Sequence, residues 1–353
     1  MKNKKVLIIA IVAVVIIAVV LAVVLLGGKK DEEPATETYK FGMGSFTTIS
    51  ASDAKPADGK DGAGEATVTS VAVLLNKDGQ IVDIVVDCAQ TKLSYTAAGK
   101  GTMTGDFRTK YEKGTDYAMG GVVSMDKNDD GVVLEWDEQI DAFCATVKGK
   151  TLAEVKALVA ENGYAQGALV DADCTIKVEE TYKALEKAIN NAIEFEGTGD
   201  ETIKLGLSTT GKIDDAKPAD SKDGSAEVNT TMFAALLDKD GKVIKAQTDV
   251  AQVKFGFTAE GKSTTDTTTA FRTKLEKGSD YGMGGVVSMD KNDDGVVLEW
   301  DAQAAAFNKA CEGKTLAEVL ALCAENGYPV KDLQDADCTI VISEFTKAAS
   351  KAR

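Results

Sequence analysis

Two stretches of this chain, DKNDDGVVLEWD at Asp126–Asp137 and again at Asp290–Asp301, have the residue types and spacing to hold a hard cation. Asp126, Asn128 and Asp130 take positions 1, 3 and 5 of a calcium loop, Gly131 the turn at position 6 and Val133 the apolar position 8. Asp137 stands at position 12, where a longer glutamate normally supplies two oxygens. Asp290, Asn292, Asp294 and Asp301 repeat the set. Carboxylates crowded this closely repel one another unless a cation or solvent screens them. The competing reading is a polar turn at Asn128–Gly131 between VVSM and VVLEW, with its acids in solvent. MGGVVSM is a poor entering helix, so only the loop and the exiting helix of the calcium motif are present. Calcium held here would be structural, because no base accompanies the carboxylates.

Both loops belong to a stretch, MGGVVSMDKNDDGVVLEWD, that occurs letter for letter at Met119–Asp137 and Met283–Asp301. A wider repeat surrounds it. KPADGKDG from Lys55 matches KPADSKDG from Lys217, and FRTKYEKGTDYAMGG from Phe107 matches FRTKLEKGSDYGMGG from Phe271. DADCTI recurs at Asp171 and Asp335. Each copy has about 150 residues, too long for a solenoid unit and right for a domain. Within a copy, Ala66–Leu75 and Gln80–Ala89 flank Asn76-Lys77-Asp78-Gly79, a hairpin signal, and Lys92–Thr96 adds a candidate third strand. In the second strand Ile84, Val86 and Cys88 share one face and Asp83 and Asp87 the other. Trp136, Ile140, Phe143, Cys144 and Val147 then fall on one helical face, and a second helix follows with Thr151 as N-cap and Glu154 completing a capping box. Cys174–Val178 reads as a strand leading into a helix at Glu179–Ile193. Strands first, then helices and a late strand, predict an α+β domain present twice in tandem.

The N-terminus sets the expected location. Val6–Leu26 is an unbroken apolar run, long enough at about 1.5 Å per residue to span a bilayer core of roughly 30 Å. Lysines precede it and no small-residue cleavage site closes it, which predicts an uncleaved signal anchor and a single-pass cell-membrane protein with its later residues outside the cell. The domain plan is therefore a tail and transmembrane anchor at 1–30, a linker at 31–40, and copies at 41–196 and 197–353.

Composition narrows the function. A net charge of −16 excludes a nucleic-acid partner, because phosphate binding needs a basic surface. The chain has no histidine, which removes Ser-His and Cys-His catalysis and imidazole metal sites, and no other nucleophile has a visible base. A binding or carrier role is favoured over a bond-making one. The six cysteines include Cys88, Cys311 and Cys323 at positions where the other copy has valine, so buried free thiols are expected rather than disulfides. Among three arginines, Arg108 and Arg272 are equivalent. Either a bidentate contact to a small anionic ligand or an internal salt bridge, to Glu112 and Glu276, would explain the choice of a planar fork. The only two tryptophans, Trp136 and Trp300, are also equivalent, as core anchors or as rings stacked on a ligand. Asp87-x-Ala-Gln90 and Asp249-x-Ala-Gln252 read as strand-edge caps, with ligand contact the alternative.

An exported domain that opens with glycine-rich sequence and a V-x-V-x-x-x-x-DG-x-I hairpin, then has helices and a late segment leading into a last helix, resembles the FMN-binding domain family. That family includes exported flavin carriers of membrane electron-transfer systems. Its members carry S/T-G-A-T-x-T/S before the last helix, and the threonine after alanine receives FMN. The corresponding segments here read DADCTIKVEETYKALEKAI and DADCTIVISEFTKAASKA. The resemblance implies that Thr175 and Thr339 are the flavin threonines, with Arg108, Arg272, Trp136 and Trp300 as further ligand contacts and a redox partner outside the membrane. Cys174 and Cys338 take the alanine position and Asp173 and Asp337 the glycine position. From a different class, the calcium loops imply a calcium-stabilised surface or adhesion module without cofactor.

Overall fold

The strands flanking Asn76 pair because a self-closing turn joins two runs of apolar residues. Asn76 Oδ1 accepts from the backbone N–H groups of Asp78 (3.0 Å) and Gln80 (2.9 Å), and Gly79 supplies a φ of 75°. The structure, a computed structural model, describes residues 36–122, 131–217, 220–286 and 295–353. The chain divides into two units, Met1–Glu37 and Thr38–Arg353, and the second holds the sheets and helices. The expected transmembrane run, residues 6–26, lies outside the described residues; among these, no helix is long and apolar enough to cross a membrane.

The fold is mixed α+β, as the element order predicts. Strand β1 (Glu37–Ser52) pairs antiparallel with β2 (Gly62–Leu75), β2 with β3 (Ile81–Tyr95), and β3 with the short β4 (Gly101–Met103). With β5 (Ile193–Gly197) on the far edge, the order is β4-β3-β2-β1-β5. In the second copy β6 (Thr202–Asp214), β7 (Gly224–Leu237) and β8 (Val243–Phe257) make a sheet of order β6-β7-β8.

Two expectations about strands are corrected here. Lys92–Thr96 is no separate strand: β3 runs unbroken to Tyr95 because Gln90, Thr91 and Lys92 stay in register with Thr67, Ala66 and Glu65. Residues 37–40, expected as linker, begin β1. Gly42 and Gly44 in that strand seat a helix: a Cβ on Gly44 would lie 2.3 Å from Ala188 N, and Gly206 meets Ala348 O at 2.1 Å in the same way.

Helix α1 (Lys110–Lys113) starts from a capping box of Thr109 and Glu112. It is followed by α2 (Trp136–Val147), α3 (Leu152–Lys156) and α4 (Glu179–Asn190). Thr151 caps α3 with Glu154 as expected, and Trp136, Ile140, Phe143 and Val147 form the buried face of α2. The second copy supplies α5 (Lys274–Lys277), α6 (Trp300–Cys311), α7 (Leu316–Leu320), α8 (Lys331–Gln334) and α9 (Ser343–Ser350). The expected strand Cys174–Val178 does not form. Asp173 turns the chain at φ 60°, and the N–H of Thr175 goes to the Gln139 side chain instead of a neighbouring strand. All six cysteines are free, with Cys88, Cys174, Cys311 and Cys338 buried.

Each sheet is buried on both faces. In β2, Val71, Val73 and Leu75 point toward the helices, while Ala72 and Leu74 join a cluster with Leu205, Leu207, Met232, Ala234 and Leu236 of the second sheet. The layers therefore run helices, sheet, sheet, helices. The expected polar face of β3 is corrected accordingly: Asp87 is 4 % exposed, sealed in by this packing, and Asp83 pairs with Lys148 at 2.7 Å.

Contacts between the copies are reciprocal. Equivalent residues differ by 162 through the strands and by 164 after a two-residue insertion. Ala54 N–H donates to Gly261 O and Ala216 N–H to Gly99 O, both at 2.8 Å. Gly101 N–H donates to Asp215 Oδ1 (2.9 Å) and Ser263 N–H to Asp53 Oδ1 (2.8 Å). Lys187 pairs with Glu276 (2.6 Å) and Lys351 with Glu112 (3.0 Å). The equivalent rings of Tyr95 and Phe257 stack on each other at 4.5 Å. Residue i meeting j while j meets i is how a two-fold interface of identical subunits is built.

Candidate functional site

On the helix side of the first sheet, beyond the edge of its core, lies a cavity of about 440 Å³. Strands β1 to β3 supply Thr48, Glu65, Thr67 and Gln90 as its floor. The segment at α1 supplies Lys110, Tyr117 and Met119, and the first turn of α2 supplies Trp136 and Gln139. Tyr164, Thr175, Ile176, Lys177 and Glu180 close it from the chain leading into α4.

Local folding sets these side chains. The Lys110 ammonium lies 5.1 Å from the Tyr117 ring centre and 5.5 Å from that of Trp136, within cation–π range. Lys274 stands over Tyr281 (4.9 Å) and Trp300 (5.7 Å) in the second copy. Burial works against the Lys110 charge, but Cys88, Tyr117 and Glu180 outweigh it, and its pKa is pushed up to about 12. It is a fixed cation. Beneath it Asp87 Oδ1 accepts from the N–H groups of Cys88 (2.7 Å) and Tyr111 (3.4 Å), holding α1 in place. Asp249 does the same with Val250 (2.7 Å) and Leu275 (3.0 Å). Burial raises both carboxyls to about 6 against the pull of these hydrogen bonds.

Gln139, 1 % exposed, links α2 to the segment before α4. Its Oε1 accepts from the N–H (2.8 Å) and hydroxyl (3.3 Å) of Thr175, and its Nε2 donates to Leu134 O (3.0 Å). Gln303 holds Thr339 identically, at 2.8 and 3.2 Å. Gln90 Nε2 donates to Glu65 Oε1 (2.8 Å).

Of the residues singled out in the sequence, Trp136 and Thr175 meet in this cavity. Arg108 does not line it: the guanidinium is exposed and grips Asp106 (3.1 Å) and Asp116 (2.8 Å). Arg272 grips Asp280 (2.8 Å) and the Glu276 carbonyl (2.6 Å). The internal ion pair is thus the reading the geometry favours, with partners other than the Glu112 and Glu276 carboxylates. Gln90, read as an edge cap, is a wall of the cavity; Asp87 and Asp249 are buried in mid-strand rather than at a strand end.

Asp126, Asn128, Asp130, Asp290, Asn292 and Asp294 lie outside the described residues. Asp137 and Asp301 sit in the first turns of α2 and α6, and Asp137 Oδ1 is buried without a hydrogen-bond partner. Among the described residues no three acidic or sulfur side chains cluster as metal ligands. The duplicated stretch closes on itself where Gly121 N–H donates to Val133 O (2.9 Å), and two of its residues, Met119 and Trp136, are cavity walls.

Lys110, Gln139 and Tyr117 were not anticipated from sequence, yet a signal for them exists. Of the 14 lining residues, 12 are identical at the equivalent position of the second copy, and only Thr67 and Lys177 change, to Asn229 and Val341. In the 21-residue core that supports the cavity, only nine are identical; Val71 becomes Phe233, Ile140 becomes Ala304 and Leu185 becomes Ala349. Packing tolerates exchange of hydrophobes, whereas a wall that meets a ligand does not.

No protein-family model matches this chain, and neither a curated protein nor a solved structure matches it. The walls carry three aromatic rings, two ammonium groups, two carboxamides, three threonine hydroxyls and two carboxylates. Groups of these kinds line small-molecule sites.

Proposed function

We propose that the chain consists of two tandem copies of one ligand-binding α+β domain, carried outside the cell on the transmembrane run at 6–26. Each copy holds a flat, polar-edged ligand of the flavin class, FMN foremost, without a covalent bond. The observation that supports this most is the retention of 12 of 14 cavity residues between copies whose cores have diverged. The cavity volume of about 440 Å³ falls in the range of roughly 300–1,000 Å³ typical of small-molecule sites.

The residues present fit such a ring. Trp136 and Tyr117 offer faces for stacking, Lys110 complements an anionic tail, and Gln90 and Gln139 address a polar ring edge. Asp173 and Asp337, at the glycine position of the flavin motif, adopt φ of 60° and 62°, a left-handed conformation glycine takes freely and aspartate tolerates. The Thr175 hydroxyl is engaged by Gln139 and stays a binding group. Bound FMN would supply one- or two-electron transfer, and the role is that of an extracellular electron carrier.

The test is the visible spectrum and intact mass of the full chain extracted from membranes, with FMN added back. A flavin spectrum near 450 nm, a property of the chromophore, at the bare polypeptide mass is the expected outcome. A protein that stays colourless after FMN is added back and removed by dialysis overturns the reading.

One observation favours a second reading, calcium as a structural ion: the unpartnered, buried Oδ1 of Asp137 at the last position of the first loop. Under it, millimolar calcium raises the melting temperature by mass action, and Asp137→Ala removes the rise. An unchanged melting temperature removes this reading.

A further inference from the structure

Where so little of a wall changes between copies, the changes that do occur are informative. Lys177 of the cavity wall is Val341 at the equivalent position of the second copy, and Val341 stands half exposed. The first wall therefore has Lys110 and Lys177 against Glu65 and Glu180, a neutral balance. At the equivalent positions of the second copy Lys274 stands with Glu227 and Glu344, and the Lys177–Glu179 pair is replaced by Val341 and Ser343, so the ammonium is lost from this place together with its partner. The other exchange acts in the same direction. In the first copy the Thr67 hydroxyl donates weakly to Glu65 (3.2 Å), but in the second the Asn229 amide donates to Glu227 at 2.9 Å. That bond helps hold Glu227 ionised, its pKa lowered although burial opposes it. Lys177 itself is only loosely engaged, 3.6 Å from Glu179, so it is available to a ligand.

We propose that this cavity and an equivalent site built by the matching residues of the second copy select different members of one ligand class: the first a ring with an anionic phosphate or carboxylate tail, the second the same ring with an uncharged tail. Lys177 is the residue that makes the difference. This rests on reading the cavities as flavin-class sites. The chain then presents two unlike ligands, related by a single charged group, across an interface that is otherwise two-fold.

The two tryptophans allow each cavity to be read separately in the full-length chain. Trp300→Phe leaves the first cavity intact with Trp136 as its reporter, and Trp136→Phe leaves the second with Trp300. Titration with FMN and with riboflavin, which lacks the phosphate, is followed by quenching of tryptophan emission. In the first cavity FMN should bind roughly 2- to 5-fold more tightly than riboflavin, the range for a single partly exposed charge contact. Adding Lys177→Val should remove that preference. In the second cavity riboflavin should equal or exceed FMN, and adding Val341→Lys should shift the ratio toward FMN. If both flavins bind both cavities with one ratio, or if Lys177→Val and Val341→Lys leave the ratios unchanged, the selectivity is refuted while the binding site stands. If neither flavin quenches either reporter, the flavin-class site falls and this inference with it.

Discussion

The cavity wall and the core beneath it have had different histories in the two copies. The core exchanged its parts: Phe233 stands for Val71, Ala304 for Ile140, and Phe345 packs on Trp300 where the first copy has Thr181. The wall kept its parts, including Gln139 and Gln303, whose carboxamides hold Thr175 and Thr339 in place. The contrast teaches that the two layers answer to different constraints. Close packing fixes a sum of volumes, whereas recognition fixes individual atoms.

If that contrast is right, substitutions in the two layers should separate stability from binding. The largest loss of stability is expected in the core. Phe143→Ala, at a ring that is 0 % exposed, should lower the unfolding free energy by about 3–5 kcal/mol in denaturant titrations. Flavin affinity of the protein that remains folded should be unchanged; a matching loss of affinity would merge the layers.

Next comes the pH response of the buried acids. Asp87 and Asp249 have folded-state pKa values raised from 3.8 to about 6. A raised pKa means that the folded state holds the proton more tightly. The stabilisation is fully present below about pH 4 and is lost as pH rises through about 6, at a cost on the order of 3 kcal/mol for each group. Asp87→Asn keeps an acceptor for the Tyr111 N–H and removes the charge. The stability difference between variant and parent should therefore move in the variant's favour between pH 4 and pH 7. A constant difference across that range would show that the carboxylate is not desolvated.

At the boundary of the layers, Gln139→Leu strands the Thr175 N–H and hydroxyl. It should cost roughly 1–3 kcal/mol and also weaken flavin binding, the one substitution here expected to do both. Gln139→Glu, which keeps the acceptor, should restore most of the stability. The smallest effect belongs to the surface between copies. Lys187→Met removes one of two reciprocal ion pairs, and a thermal melt should register no more than about 1 kcal/mol.

How far the sequence foretold this arrangement depended on range. The Asn76–Gly79 turn, the Thr151 cap and the buried face of α2 were legible because each is written within a few consecutive residues. Strand β1 was not, since nothing near Gly42 and Gly44 in the sequence marks them as the seat of α4 until Ala188 is placed over Gly44. The run Val71-Ala72-Val73-Leu74-Leu75, apolar at every position, is what burial on both faces requires, but its second partner is the other copy. At the site, rarity was a poor guide and repetition a good one. Arg108 and Arg272, prominent as two of three arginines, were spent on nearby aspartates. Trp136 and Thr175, singled out for separate reasons, line the same cavity, and Lys110 was hidden among 40 basic residues until Tyr117 and Trp136 gathered around it.

The most direct test of the central claim, that the retained walls are a binding site, uses the tryptophans the chain already has. Trp136 lines the cavity, and Trp300, the other of the two, is its equivalent in the second copy. FMN titrated into the unaltered protein should quench tryptophan emission saturably, toward a stoichiometry of two per chain. Full emission at FMN concentrations far above micromolar, with calcium present or absent, would contradict it.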